Sequence, residues 1–218
     1  TLRKSFAALD AALPCGIYLL HKFRGEARRL DEHGIGCVLM AAGASSRFGG
    51  DKLSAELGGV SLLRRAALAV PAERLGSVAL VTARREGLSL AEEFGFTPVI
   101  NAEPERGASL TVRLGLEAVR PYAAALFMTA DQPLLRRETV ARLIDAWLEQ
   151  PERIAALAHG GVRGNPCLFP ARFFPELLAL EGDRGGSSVI RRHEDALRLV
   201  EAAEPELSDC DTKQALEI

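Results

Sequence analysis

Two cations follow a short apolar run and a stretch of small residues: Arg47 and Lys52, five positions apart, after Gly43, Ser45 and Ser46. A loop of small residues lets backbone N–H groups approach an anion closely, and two cations beside it suit phosphate. The position where a Walker loop requires its second glycine holds Phe48, and neither Ser nor Thr follows Lys52. The Rossmann glycine pattern is absent too. The bland alternative is an ordinary strand-to-helix turn with two solvated cations. A carboxylate is the second chemical group: Asp131 stands at the end of the apolar run Ala124–Ala130, before Gln132 and Pro133. Beside a phosphate loop, such a carboxylate suits Mg²⁺, a hard cation that takes oxygen ligands. As a plain turn residue, it would bond its own backbone instead.

Three further segments carry small or polar residues. Asn101–Gly107 leads to Ser109, the expected N-cap of a helix, where Gly107 and Ser109 would let a base or ribose lie against the backbone. Gly160–Pro166 has three glycines in five positions, fitting either close ligand approach or a hairpin. Glu181–Ser188 opens a helix and is another candidate anion site. Near the end, Asp209 and Asp211 could add carboxylates to a metal, or cap a short C-terminal helix together with Thr212. His21, His33, His159 and His193 are scattered, so no Ser/His/Asp or Cys/His arrangement is available; His159 alone neighbours a glycine loop.

These groups need a frame, and the pattern supplies one. Apolar β-type runs at Cys37–Ala41, Ser77–Thr82, Thr97–Ile100, Ala123–Thr129, Ile154–Ala158, Pro166–Phe169 and Leu197–Glu201 alternate with helical patterns. The helices are expected at Ser61–Val70, Glu86–Phe94, Ser109–Val119 and Glu138–Glu149. In the last, Val140, Leu143, Ile144, Trp147 and Leu148 form one apolar stripe, which makes Trp147 a core residue. Alternation of this kind predicts an α/β fold with a mostly parallel sheet covered on both faces. Ligands then bind beyond the carboxyl ends of the strands, so the loop after Ala41 and the Asp131 turn face one cleft.

Composition narrows the class. The 218 residues are 48% hydrophobic and 26% charged, an ordinary globular mix, with a formal net charge of −2. No basic stripe interleaved with aromatics appears, which argues against a nucleic-acid partner. No apolar run approaches membrane-spanning length. Cys15, Cys37, Cys167 and Cys210 follow no zinc spacing and read as reduced thiols of a cytoplasmic protein. Residues 1–33 precede the first strand and are expected to be a terminal brace or the tail of an upstream domain; residues 34–218 form the main domain.

In order, Leu39–Leu53, Ala130–Pro133, Arg163–Phe169, Gly182–Gly185 and Asp209–Thr212 resemble the motifs of the molybdenum cofactor cytidylyltransferases, within the Rossmann-like nucleotidyltransferase superfamily. The resemblance runs from about residue 35 onward. It implies a three-layer α/β/α fold and transfer of CMP from CTP to the terminal phosphate of molybdopterin, with release of pyrophosphate. It further implies nucleotide binding by Ala41, Ala42, Gly43, Ala44 and Ser45, with Asn101, Gly107 and Ser109 nearby. Arg47 and Lys52 would hold the β- and γ-phosphates. Asp131 would bind Mg²⁺ with Asp209 or Asp211. Arg163, Gly164, Asn165, Pro166, Gly185, Gly186 and Ser187 would shape the pterin side, and a xanthine-dehydrogenase-type hydroxylase is the implied recipient. The chain departs from the pattern at Phe48 (usually Met), Ala130 (usually Gly) and Ser187 (usually Arg). Gln214 and Ala215 also replace acidic residues. Alternatives are use of GTP, a different phosphorylated acceptor, or a non-catalytic cofactor carrier or insertion chaperone.

Overall fold

The computed structural model describes residues 34–43, 48, 51–119 and 122–212. The expectations for residues 1–33, for the short C-terminal helix, and for Ala44, Ser45 and Arg47 fall outside the described residues.

A seven-stranded sheet in the order β5-β4-β1-β6-β8-β7-β9 organises the protein. Its strands are β1 Ile35–Ala41, β4 Ser77–Thr82, β5 Thr97–Ile100, β6 Ala124–Thr129, β7 Ile154–His159, β8 Val162–Pro170 and β9 Leu197–Glu201. Every neighbouring pair is parallel except those involving β8, which runs antiparallel to both β6 and β7. The central strands are near-continuous apolar runs because both faces are covered. On β1, Ile35, Cys37, Leu39 and Ala41 enter one core cluster, and Val38 enters the other. This period of two separates the layers.

One face is covered by α1 (Leu62–Leu68), whose Leu63 and Ala66 join that core, and by α4 (Arg137–Glu149). The expected α4 stripe is realised, with Trp147 only 1% exposed. The other face takes α3 (Ala108–Ala118), α5 (Phe174–Leu178) and α6 (Gly186–Ile190). Between β4 and β5 runs α2 (Arg85–Glu93). Together these make the three-layer α/β Rossmann-like nucleotidyltransferase fold.

Of the two readings of Gly160–Pro166, the hairpin is the one found: Gly160 and Gly161 (φ +55° and +81°) form a two-residue turn, and β8 already starts at Val162, ahead of the strand start expected at Pro166. Left-handed dihedrals at both turn positions select glycine there. A small hairpin also precedes α1, with β2 Glu56–Leu57 paired to β3 Val60–Ser61. Ser61 then caps α1 by accepting the Arg64 N–H at 3.3 Å.

At the amino end of α4 no local side chain caps the helix. The buried Glu206 does so from seventy residues away, accepting the Arg136 backbone N–H at 3.1 Å and its guanidinium at 2.7 Å. Burial acts against the carboxylate, but hydrogen bonds from Arg136 and Thr139 outweigh it and hold its pKa below the ordinary glutamate value. A depressed pKa stabilises the fold above the unfolded value and loses that effect as pH falls through the native one. Glu206→Gln is therefore expected to cost about 1–3 kcal/mol at neutral pH. In denaturant titrations, the gap from the parent should shrink as pH drops below about 4. Equal midpoints at pH 7 would refute this role.

Candidate functional site

The carboxyl ends of β1 and β6 meet in the middle of the sheet, pinned where the Ala130 N–H donates to Met40 O at 3.0 Å. Ala41, Ala42 and Gly43 lead out of β1 toward residues 44–47, while Asp131 leads out of β6. A cavity of about 620 Å³ opens there, lined by Ala42, Gly43, Lys52, Gly107, Asp131 and Asp211, among others. That volume lies within the range of small-molecule and cofactor sites.

Lys52 is the centre of charge. The turn that carries it is held by Asp51, whose carboxylate accepts from the Leu53 N–H and the Ser54 hydroxyl and pairs with Arg84. Burial works against the Asp51 carboxylate, but those bonds prevail and lower its pKa. Lys52 itself is 7% exposed and donates from Nζ to Asp131 Oδ2 at 3.0 Å and to Asp211 Oδ1 at 2.8 Å. Burial disfavours the ammonium, yet the hydrogen bonds to Asp211 and Asp131 win and raise its pKa above the ordinary lysine value.

The third wall comes from the end of the described chain. Cys210 donates its backbone N–H to Asp131 O at 2.8 Å, and Gln132 Nε2 donates to Leu207 O at 3.1 Å. Cys210 is buried with Phe48 and Leu62, so the segment is fastened to the loop after β1 as well as to β6. Asp209 lies close enough for its pKa to rise, first by burial and then by the charge of Asp131, with Asp211 adding to it.

Carboxylate oxygens are the donors a hard divalent cation prefers. Asp131 Oδ1 and Gln132 Oε1 are both buried without a hydrogen-bond partner. Unsatisfied acceptors of this kind can take a donor, a water or an ion. The residues therefore fit a divalent ion at Asp131. Among the described residues no group of three or more His, Cys, Asp or Glu side chains is gathered to hold a metal, because Lys52 sits between Asp131 and Asp211.

On the opposite wall the sequence reading needs correction. α3 starts at Ala108 with Gly107 as its N-cap, so Ser109 lies inside the helix and is not its cap. The Ala108 N–H donates to Asp183 Oδ1 at 3.3 Å, and the Ser109 N–H donates to Gly182 O at 3.1 Å. The chain itself supplies partners for these two N–H groups. Asn101 is fully buried, donating to Thr111 Oγ1 and accepting the Glu103 N–H, which shapes the loop without lining the cavity. Gly107 does line it.

A smaller cavity of about 150 Å³ adjoins the first, sharing Met40 and Thr129. Of the residues expected on the acceptor side, Asn165, Gly185, Gly186 and Ser187 line it. Gly164 instead packs near Leu207, and the Arg163 guanidinium lies 3.9 Å from Cys167 Sγ. Pro166 lines neither cavity. His159 meets Ala202 O at 3.0 Å and Glu201, away from both. Sequence reasoning missed Thr129. The alternation along β6 was the available signal for it, since it shares a face with Phe127. Asp183 lies in the Glu181–Ser188 segment singled out from sequence, but its contact with the start of α3 depends on the fold.

The profile of the MobA-like NTP transferase domain matches residues 37–197. Similar solved structures include Rv0371c of Mycobacterium tuberculosis H37Rv, at TM-score 0.71 and 23% identity over 84% of this chain and 97% of that one. The same protein is also known as a manganese complex, at TM-score 0.66 and 22% identity over 84% and 96% of the two chains. A nucleotidyl transferase from Methanothermobacter aligns at TM-score 0.69 and 23% identity over 83% and 93%. A CMP:2-keto-3-deoxy-manno-octonic acid synthetase complexed with CTP aligns at 0.64 and 12% identity over 84% and 95%. At these identities the likeness is one of fold. No curated protein matches the chain.

Gly107 is the most constrained residue of the cavity wall: its φ is +89°, and an added Cβ would lie 2.5 Å from the Gly182 carbonyl group. Gly107→Ala is expected to lower stability by at least about 1–3 kcal/mol from the backbone conformation alone. Denaturant unfolding reads this directly, and an unchanged midpoint would contradict it.

Proposed function

The chain belongs to the MobA-like NTP transferase domain family, and from that premise we propose that it transfers CMP from CTP to the terminal phosphate of molybdopterin, releasing pyrophosphate. The observation that carries the reading is the buried Lys52 ammonium at the cavity shared by the phosphate loop and Asp131. Phosphoryl-type transfer asks the protein for positioning and charge neutralisation more than for covalent chemistry. An oxygen of the acceptor phosphate attacks the α-phosphorus of CTP. The bond from that phosphorus to the bridging oxygen breaks, and pyrophosphate leaves with the electron pair. The attacking phosphate is already ionised and needs no general base.

Lys52, with Arg47, holds the β- and γ-phosphates and meets the charge that builds on the leaving group. Asp131, with Asp209 or Asp211, would hold Mg²⁺, which when bound neutralises phosphate charge. Ala42 lines the cavity where the related GTP-using enzymes carry glycine; its added Cβ narrows that wall and favours a pyrimidine. A xanthine-dehydrogenase-type hydroxylase in the cytoplasm is the expected recipient of the product. Ser187 in place of the usual arginine favours a second reading, in which the acceptor is another phosphorylated compound.

Pyrophosphate release with Mg²⁺ and molybdopterin, assayed with each nucleotide in turn, tests the reaction. Turnover with CTP is expected; turnover with GTP alone would overturn the choice of base. Calorimetric titration with CTP and Mg²⁺ separates enzyme from carrier, since a carrier would show no metal-dependent nucleotide affinity. Asp131→Ala and Lys52→Met should each lower the rate by about 10²–10³-fold. Near-parental turnover in either variant would remove that side chain from the reaction.

A further inference from the structure

The turn that carries Lys52 is tied to the sheet from outside its own loop. Within the turn, the Asp51 carboxylate accepts from the Leu53 N–H at 3.2 Å and from the Ser54 hydroxyl; its third partner is the guanidinium of Arg84. Arg84 stands just past the end of β4, at a point the fold holds tightly. Its backbone N–H donates to Oγ1 of the buried Thr82 at 3.1 Å, and the Thr82 carbonyl accepts the Asn101 N–H at 2.7 Å. Gly87 leaves room for that threonine, since an added Cβ would lie 2.4 Å from its Oγ1. Thr82 is also the strand partner of Ala41, the last residue of β1 before the loop that leads to Lys52. The arginine thus starts from a fixed point beside the root of that loop and reaches back to Asp51. Neither Arg84 nor Asp51 lines either cavity, so their effect on a bound molecule must pass through a neighbour.

We infer that Arg84 is a positioning residue: by holding Asp51 it fixes the turn that places the Lys52 ammonium at the wall of the larger cavity. The turn's other hydrogen bonds run from the Ala55 N–H to Lys52 O at 3.2 Å and from the Leu63 N–H to Leu53 O at 3.1 Å, within the turn and to α1. Arg84 adds the reference to β4, whose end lies beside that of β1. Losing it leaves the local bonds intact but frees the turn to shift, and a displacement of about 1 Å can cost about 10²-fold in rate. Charge acts in the same direction. Asp51 is the neighbour of Lys52 in the chain, and the guanidinium offsets a carboxylate that would otherwise repel an incoming anion. That the ammonium serves phosphates rests on the nucleotidyl-transfer reading above; that Arg84 sets where it lies rests on the geometry alone.

Two measurements separate these parts. The NMR signal of the Lys52 ε-methylene, assigned by its loss in Lys52→Met, reports the surroundings of the ammonium with no ligand present. Arg84→Ala is expected to shift it, and Arg84→Lys, which keeps the charge, to bring it most of the way back. Denaturant midpoints of both variants should stay close to the parent's, because an exposed ion pair contributes little to stability. The inference is overturned if the signal stays put in Arg84→Ala, if Arg84→Lys leaves it equally displaced, or if both midpoints collapse. Pyrophosphate release from CTP gives the second readout. Arg84→Ala should lower kcat about 10- to 100-fold in the parent, and change it by less than about twofold in Lys52→Met, because residues acting as one unit are not additive. An equal loss in both backgrounds would show that Arg84 does not act through Lys52 and would also overturn the inference. Should the parent release no pyrophosphate from any nucleotide, the nucleotidyl-transfer reading falls, and the methylene signal still decides the role of Arg84.

Discussion

One ammonium group holds three distant parts of the chain in register. Lys52 arrives from the loop after β1, Asp131 from the end of β6, and Asp211 from the far end of the described chain. Two carboxylates facing each other across a partly buried cleft would repel, and the lysine between them removes that penalty. Breaking such an arrangement from one side leaves uncompensated charge, so the cost of losing the lysine exceeds the worth of either ion pair alone. The parallel sheet brings the ends of β1 and β6 together, and the cation decides what their loops can do.

How far the site could be read from sequence follows from the range of the interactions involved. Strands such as β1 and β6 are buried on both faces, so their apolar runs announce them, and the stripe on α4 places Trp147 correctly. The loop residue Lys52 and the strand-end residue Asp131 could be paired because parallel sheets bring such ends together. Contacts made across the fold were not legible. Ser109 has the right side chain for a cap, yet the Gly182–Asp183 turn reaches the helix end first. Gly160 and Gly161 were compatible with a hairpin, but the early start of β8 at Val162 was not visible locally. Asp209 and Asp211 were recognisable as carboxylates near the site, but nothing local shows that Asp211 meets Lys52. Position in the chain says nothing about that pairing; only the packing of Cys210 with Phe48 and Leu62 produces it.

The two cavities differ in polarity. The larger one carries charged groups and backbone from several loops, and the smaller one has only neutral walls. A phosphate gains in the first and loses in the second, whereas an uncharged ring does the reverse. Specificity then comes as much from what each compartment rejects as from what it attracts. Met40 from β1 and Thr129 from β6 line both.

The cleft poses a problem of charge. Asp131 and Asp211 both hold the single ammonium of Lys52, and Asp209 lies close enough that burial first, and then the charge of Asp131, raises its pKa. A triphosphate entering this cleft would meet net negative charge, and Lys52 cannot serve the phosphates fully while it bridges Asp131 and Asp211. Either the lysine turns toward the nucleotide and leaves the carboxylates exposed to one another, or a second cation takes over the carboxylates as the nucleotide enters. The unpartnered Asp131 Oδ1 favours the second course, since it offers an acceptor that the lysine does not use. Nucleotide and divalent ion would then bind as a pair, each removing the repulsion that excludes the other, and Lys52 would be released to the phosphates by the same event that fills its place.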